Sequence, residues 1–397
     1  MSKRNYPISR KGFIKTSAAL SLSLPSVVYG AEDSTLPSGL IMVTSGNRID
    51  LLSLKTGKII STINDFFASH AVVPVEALNR FFIHGKFRKD KDGAVLVFQV
   101  DPKKETAKQI AKVVLKGGTP LHWQPNPEQT LIQYNCIGAK NLHVLDTKTL
   151  KLKTYAGGGV HSNMAFFNQN KWLLATDRLR GGTTLRIIDR DKNSVLSATA
   201  VGGWGHGITV NHKMQRAFVW ANDGVHMVDL SEKNIGKHLG RIAPTKKGQR
   251  SWFCWTPQGG RYSHDQTWNW NDGDSFSDEL TVIDTEKNEL LKVASKGEAL
   301  GTLAVSPDGV IGCAGSHNSK NVSIFDIKNN KYLGKIKAGK GGDGFFDRDI
   351  GFSKNRRFVF VTNPPQKTLS ILDVKNLKEI KRIDLPGTPQ WMKVLTV

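Results

Sequence analysis

One unit recurs along the chain, and this repeat limits the possible folds more than any other feature. Each copy ends in an apolar, β-rich stretch, then an Asp, a few polar residues and another β-rich segment. The copies close at Ile49-Asp50-Leu51-Leu52-Ser53-Leu54, Val95 to Asp101, Leu142 to Asp146, Leu185 to Asp189, Val225 to Asp229, Leu280 to Asp284, Val322 to Asp326 and Leu369 to Asp373. From Asp101 onward the intervals are 45, 43, 40, 55, 42 and 47 residues, the spacing of four-stranded propeller blades. An upstream strand pair joined by a polar turn precedes each copy, most plainly Leu303 to Cys313 through Ser306-Pro307-Asp308-Gly309.

Inner strands are expected to begin near His70, His122, His161, His206, Trp252, Leu303 and Asp349. The first copy lacks one, and Gln390-Trp391-Met392-Lys393-Val394 at the other end of the chain is left over to supply it. The expectation is an all-β, eight-bladed β-propeller closed by pairing of its N- and C-terminal strands, which removes exposed sheet edges. A seven-bladed ring would require merging two copies. Nine Trp, eighteen Phe and 38 Gly, without a long helical-period run, agree with an all-β chain.

The first thirty-one residues read as an address. Lys3, Arg4, Arg10, Lys11 and Lys15 stand without an acid, followed by a weakly apolar stretch from Ala18 to Val28 and small residues at Gly30 and Ala31. That is the layout of a signal peptide. Ser9 to Lys15 resembles the twin-arginine export motif, with Lys11 in the second basic place. Residues 1–31 are therefore expected to be removed on export, leaving 32–397 as a single propeller domain, soluble in the periplasm and monomeric. Removing the five basic residues lowers the net charge from +22 to +17. In that compartment the charge reads as a solvated surface carried by turns, or as attraction to an anionic surface or an acidic redox partner, rather than nucleic-acid binding. Cys136, Cys254 and Cys313 lie in separate apolar stretches, as buried free thiols would, and there is no Cys-x-x-Cys-His for covalent haem.

The histidines concentrate where a propeller forms its central mouth. His70, His122, His161 and His206 fall at the starts of inner strands in four consecutive copies, expected at one register. His84, His264 and His317 fall at the ends of second strands and are expected on the same face. Neutral imidazole suits copper, zinc and iron, so these seven are the candidate metal ligands. Trp252, Arg348, Asp349 and Trp391 are candidates for binding a planar or anionic cofactor nearby. No nucleophile elbow, P-loop or dinucleotide fingerprint is present, and no catalytic residue is assigned.

Phe358-Val359-Phe360-Val361-Thr362-Asn363 resembles the Tyr-Val-Thr-Asn signature of the YVTN family of β-propellers, and Ser306-Pro307-Asp308-Gly309 is similar to that family's inter-strand turn. The resemblance implies an architecture shared by plain binding propellers, by the copper-holding propeller of nitrous-oxide reductase and by the haem-holding one of cytochrome-type nitrite reductase. The chain departs from nitrous-oxide reductase in having no second domain with paired Cys and no His-His pair. Two expectations stand side by side. One is a periplasmic propeller that binds copper, another transition metal or haem, as a redox protein or cofactor-handling factor. The other is a metal-free scaffold binding a protein or small ligand at its top face.

Overall fold

The computed structural model describes residues 36, 38–68, 72–136, 141–159, 163–179, 182–242, 249–254, 262–269, 275–294, 300–306, 308–316, 319–340 and 348–397. The signal-peptide expectation lies outside them. Among the described residues the structure is strand, broken by two 3-10 turns at Glu76–Leu78 and Pro364–Gln366, and no helix is long and apolar enough to cross a membrane.

The described strands form eight antiparallel sheets, seven of four strands and one of five. In the first, Ile59–Ile63, Arg48–Ser53 and Gly39–Ser45 are joined by the last strand of the chain, Trp391–Thr396, in the register Trp391 to Thr44 and Thr396 to Gly39. The second combines Phe66–Phe67, Val72–Val75, Arg80–Phe87, Gly93–Asp101 and Thr106–Leu115. From the third sheet on, four consecutive strands make each sheet, beginning at Pro120–Pro125, Met164–Phe167, Gly205–Asn211, Gln249–Cys254, Leu300–Val305 and Ile350–Phe352. Inner strands of neighbouring sheets lie side by side from Pro120–Pro125 to Gln249–Cys254 and from Leu300–Val305 to Ile350–Phe352, and Trp391–Thr396 contacts both Ile350–Phe352 and Val72–Val75.

The core is divided among the spaces between sheets. Leu40, Met42 and Leu51 meet Phe81, Ile83 and Leu96 between the first and second, and Ala165, Leu174 and Ile187 meet Ile208, Val210 and Val219 between the fourth and fifth. Burying each such side chain is worth about 1.5–3 kcal/mol. Sheets apolar on both faces read as near-continuous runs, such as Ala94-Val95-Leu96-Val97-Phe98, whereas the outermost strand Thr106–Leu115 alternates. Lys108 and Lys112 point outward there, and Lys331, Lys335, Lys337, Lys378, Lys381 and Arg382 stand on the outermost strands of the last two sheets. Basic charge thus lies on edge strands, where Lys discourages pairing with another chain, as well as in turns at Lys103, Lys104, Lys354, Arg356 and Arg357.

The repeated Asp is a turn residue. Its Oδ1 accepts backbone N–H groups two and three residues on: Asp146 from Lys148 at 3.0 Å and Thr149 at 2.7 Å, Asp189 from Asp191 and Lys192 at 2.9 Å each, Asp284 from Glu286 and Lys287 at 3.1 and 3.2 Å. This Asx turn reverses the chain between the third and outermost strands. Four residues after the Asp, the backbone is left-handed at Glu105, Leu150, Asn193, Asn288, Asn330 and Leu377, with φ between 50° and 62°.

The first copy departs from expectation. Asp50 does not turn the chain: it is buried within its strand, bonded to the Arg48 guanidinium at 2.8 and 2.9 Å and to the Thr62 hydroxyl at 2.7 Å. Ser53 takes the turn position, with its Oγ accepting Thr56 N at 3.0 Å and Gly57 supplying the left-handed residue four later at φ 74°. Glu105, from the turn of the second sheet, completes it by hydrogen bonds with Ser53 Oγ, Lys55 N and Gly39 N. Burial opposes the Glu105 charge, but these bonds outweigh it and hold its pKa below the usual carboxylate value.

Candidate functional site

Counting from the turn residue gives each sheet a common register. Asp146, Asp189, Asp229, Asp373 and Ser53 pair across the sheet with Leu131, Trp172, Arg216, Phe358 and Leu40. Four residues further along the second strand stand Asn135, Thr176, Trp220, Thr362 and Thr44, each facing the beginning of an inner strand.

The three threonines do one job. Thr362 Oγ1 accepts Asp349 N at 2.8 Å, Thr176 Oγ1 accepts Asn163 N at 3.0 Å and Thr44 Oγ1 accepts Trp391 N at 3.2 Å. A short β-branched hydroxyl thereby satisfies the first inner-strand amide after the loop, a group otherwise buried without a partner. His122 occupies the same register in the third sheet, opposite Asn135. It is buried, and the Asn135 carboxamide donates onward to Gly159 O at 2.9 Å, on the loop leading to the fourth sheet. That loop lies against Asp177: a Cβ on Gly159 would sit 2.5 Å from Asp177 Oδ1. Asp177 in turn receives the Arg186 guanidinium at 3.0 Å.

The expected single register for four histidines changes here. In the fifth sheet the residue opposite Trp220 is Gly207, and His206 is the residue skipped by a bulge between Gly205 and Gly207. Trp252 takes the equivalent bulge position between Ser251 and Phe253 in the sixth. His206, Trp252 and His264 are placed by their backbones; His70, His161 and His317 lie outside the described residues. By chain position His70 comes two residues before Val72–Val75 and His161 three before Met164–Phe167.

His84 is not on an open rim. Its side chain is fully buried, its ring centroid is 5.5 Å from that of Tyr134, and its Nε2 is 3.4 Å from Leu121 O, the carbonyl next to His122. Burial raises the Tyr134 phenol well above its ordinary pKa, which keeps it neutral. Cys136 is a buried free thiol, pushed up to about 12 first by burial and then by Asp92, and burial raises Cys313 as well. Neither is poised for thiolate chemistry.

Arg348, Asp349 and Trp391 are bonded into the fold. Arg348 is buried and donates to Asn321 O and Ser319 O at 3.2 Å each and to Gly339 O, while its aliphatic stem covers Gly315, where a Cβ would stand 2.9 Å from Cδ. Asp349 Oδ1 accepts Ile350 N at 3.0 Å; its Oδ2 accepts Met392 N at 2.7 Å and the Lys393 ammonium at 2.8 Å. These bonds tie the eighth sheet to the strand that completes the first. Among the described residues no three His, Cys, Asp or Glu side chains converge as a metal-ligand group. Thr44, Asn135, Thr176 and Thr362 were not singled out from sequence. Their signal is an isolated polar residue in an apolar second strand, as in Phe358-Val359-Phe360-Val361-Thr362.

No family model matches the chain, and no curated protein matches it in sequence. Similarity appears at the level of solved structures. AztD from Citrobacter koseri is 12% identical, with a TM-score of 0.68 over 91% of this chain and 99% of that one. The dihydro-heme d1 dehydrogenase NirN in complex with DHE is 13% identical, with a TM-score of 0.61 over 91% of this chain and 76% of that one. Hydrazine synthase of Kuenenia stuttgartiensis matches with a TM-score of 0.50 at 13% identity over 70% of this chain and 91% of that one. The chain folds as a β-propeller. At this level of identity the likeness concerns the fold alone.

Proposed function

We propose that the protein is an exported, YVTN-type propeller of eight blades, closed by pairing of Trp391–Thr396 with Gly39–Ser45, that holds a metal ion or haem where the inner strands of its second to fifth blades begin. One observation carries the reading: His122 sits near the start of its inner strand, opposite Asn135, and three sheets next to it in sequence bring a histidine to within three residues of the same place. Four blades then supply imidazole to one mouth. The donor set is His122, His70, His161 and His206, with His264 and His317 from the second strands of later blades. His84 serves as support, since its Nε2 faces Leu121 O and holds the backbone beside His122.

Neutral imidazoles suit copper, zinc or haem iron, and such a group would supply electron transfer or be carried as cargo. The chain's own contribution is positional. Asn135 fixes the loop that leads to His161 through Gly159 O, and Asp177 with Arg186 supports that loop from below. The dihydro-heme d1 dehydrogenase NirN, bound to DHE, is a precedent on a similar fold for a tetrapyrrole ligand. The outer Lys and Arg residues would favour an acidic redox partner or an anionic surface.

The test is metal and haem analysis of protein purified from its own periplasm, with the same protein loaded with copper, zinc or haem. The reading expects a stoichiometric metal or a haem spectrum that is lost in His122→Ala. Protein that holds neither, and takes up neither, would favour the scaffold.

A further inference from the structure

Away from the inner strands, the fifth sheet carries two histidines and a carboxylate bonded in series. His226, on the third strand Gly224–Asp229, and His238, on the outermost strand His238–Ile242, approach with Nδ1 of the first 3.1 Å from Nε2 of the second. The other nitrogen of His226, Nε2, is 3.0 Å from Asp223 Oδ1, and Asp223 Oδ2 receives the Arg241 guanidinium at 3.0 Å. The cluster has a shaped place in the fold. A Cβ on Gly202 would lie 3.0 Å from His226 Cε1, and one on Gly203 would lie 2.2 Å from Asp223 Oδ1. Two successive glycines therefore let the neighbouring loop cover His226, while His238 stays exposed.

The order of bonds fixes the proton. A carboxylate only accepts, so His226 donates from Nε2, and in its neutral form its lone pair lies on Nδ1, aimed at His238. A ligating histidine is commonly oriented in this way, by a carboxylate on its second nitrogen. We propose that His226 Nδ1 and His238 Nε2 form a two-histidine site for a borderline divalent metal ion, Zn²⁺ or Cu²⁺, on the outer part of the fifth sheet, with Asp223 as its positioning residue. Two nitrogens 3.1 Å apart, each about 2.0–2.1 Å from zinc, subtend roughly 100° at the metal, near the tetrahedral angle. Binding replaces the proton shared by the two rings: His238 holds its proton on Nδ1, turns its exposed ring so that the lone pairs converge, and water fills the remaining positions. The Asp223 charge is balanced by Arg241, so the site gains its cation through nitrogen donors and not through net negative charge. This site is independent of the inner-strand histidines.

The experiment is calorimetric titration of Zn²⁺ into the full chain and into His238→Ala, Asp223→Asn and His122→Ala. His238 is exposed, so its replacement leaves the core intact, and a thermal melt of each variant checks this. The expected result is a zinc equivalent that disappears in His238→Ala and weakens about 10–100-fold in Asp223→Asn, told apart by His122→Ala from any zinc taken up at the inner strands. A wild-type chain without that equivalent, or a folded His238→Ala that keeps it at unchanged affinity, would overturn the proposal and leave the pair as a hydrogen bond between strands.

Discussion

His122 in the third sheet and Asp349 in the eighth stand at the same register, each at the beginning of an inner strand. Asp349 has every oxygen engaged, by Ile350 N, Met392 N and the Lys393 ammonium, and the Thr362 hydroxyl accepts its amide. It latches the last strand of the chain. His122 faces Asn135, whose carboxamide reaches to the following loop. A repeat thus provides one position many times, and partners from neighbouring sheets decide what the side chain there does; the proposed function gives the position in the third sheet to a ligand.

This contrast is open to attack first through the latch. Deleting residues 391–397 removes the inner strand of the first sheet along with the partners of Asp349, and should abolish cooperative unfolding; a truncated chain that melts like the full one would undo the proposed closure. Asp349→Ala leaves the strand in place but strands Lys393 and Met392 N, and breaking such a buried pair costs about 3–5 kcal/mol, toward the lower end here because Lys393 is partly exposed. Chemical denaturation should show that loss. Thr362→Val and Thr176→Val each leave one inner-strand amide without its acceptor and should cost about 1 kcal/mol, with similar values in the two sheets because the hydroxyl acts alike in both.

The third sheet also carries a pH signature. His143 is buried, with Nε2 3.0 Å from Lys116 O and Nδ1 3.0 Å from Thr154 Oγ1. Burial lowers its pKa, against the opposing bond to Lys116 O. The folded state therefore binds the proton less readily than the unfolded chain. Its contribution is full above the unfolded imidazole pKa of about 6.5 and is lost as pH falls below it, at no more than about 1.4 kcal/mol per pH unit. His143→Gln should flatten the stability profile between pH 7 and 5.

Much of the sheet pattern was written in the sequence because it rests on local chemistry. The turn Asp bonds amides two and three residues away, so it recurs with the repeat and marks each third strand. Asp50 misled because its partners are Arg48, two residues back on the same strand, and Thr62, directly across the sheet. The register of His206 was hidden by a bulge, which shifts the count by one without altering composition. Arg348 and Asp349 read as cofactor-binding groups because charged and aromatic residues near one mouth suit a planar or anionic ligand; their partners, Gly339 O, Met392 N and Lys393, come from other segments. His84 read as part of the rim since it ends an apolar run; only packing against Tyr134 and Leu121 O shows it to be interior.

The most direct measurement compares His122→Ala with Asp349→Ala in protein prepared from its native cells, reading bound metal, haem absorbance and melting temperature together. The account predicts a crossed pattern, in which His122→Ala loses the metal or haem with little change in melting and Asp349→Ala melts far lower while its folded fraction keeps the ligand. Wild-type protein that carries and accepts no metal or haem, or a His122→Ala variant that retains the full complement, would contradict it.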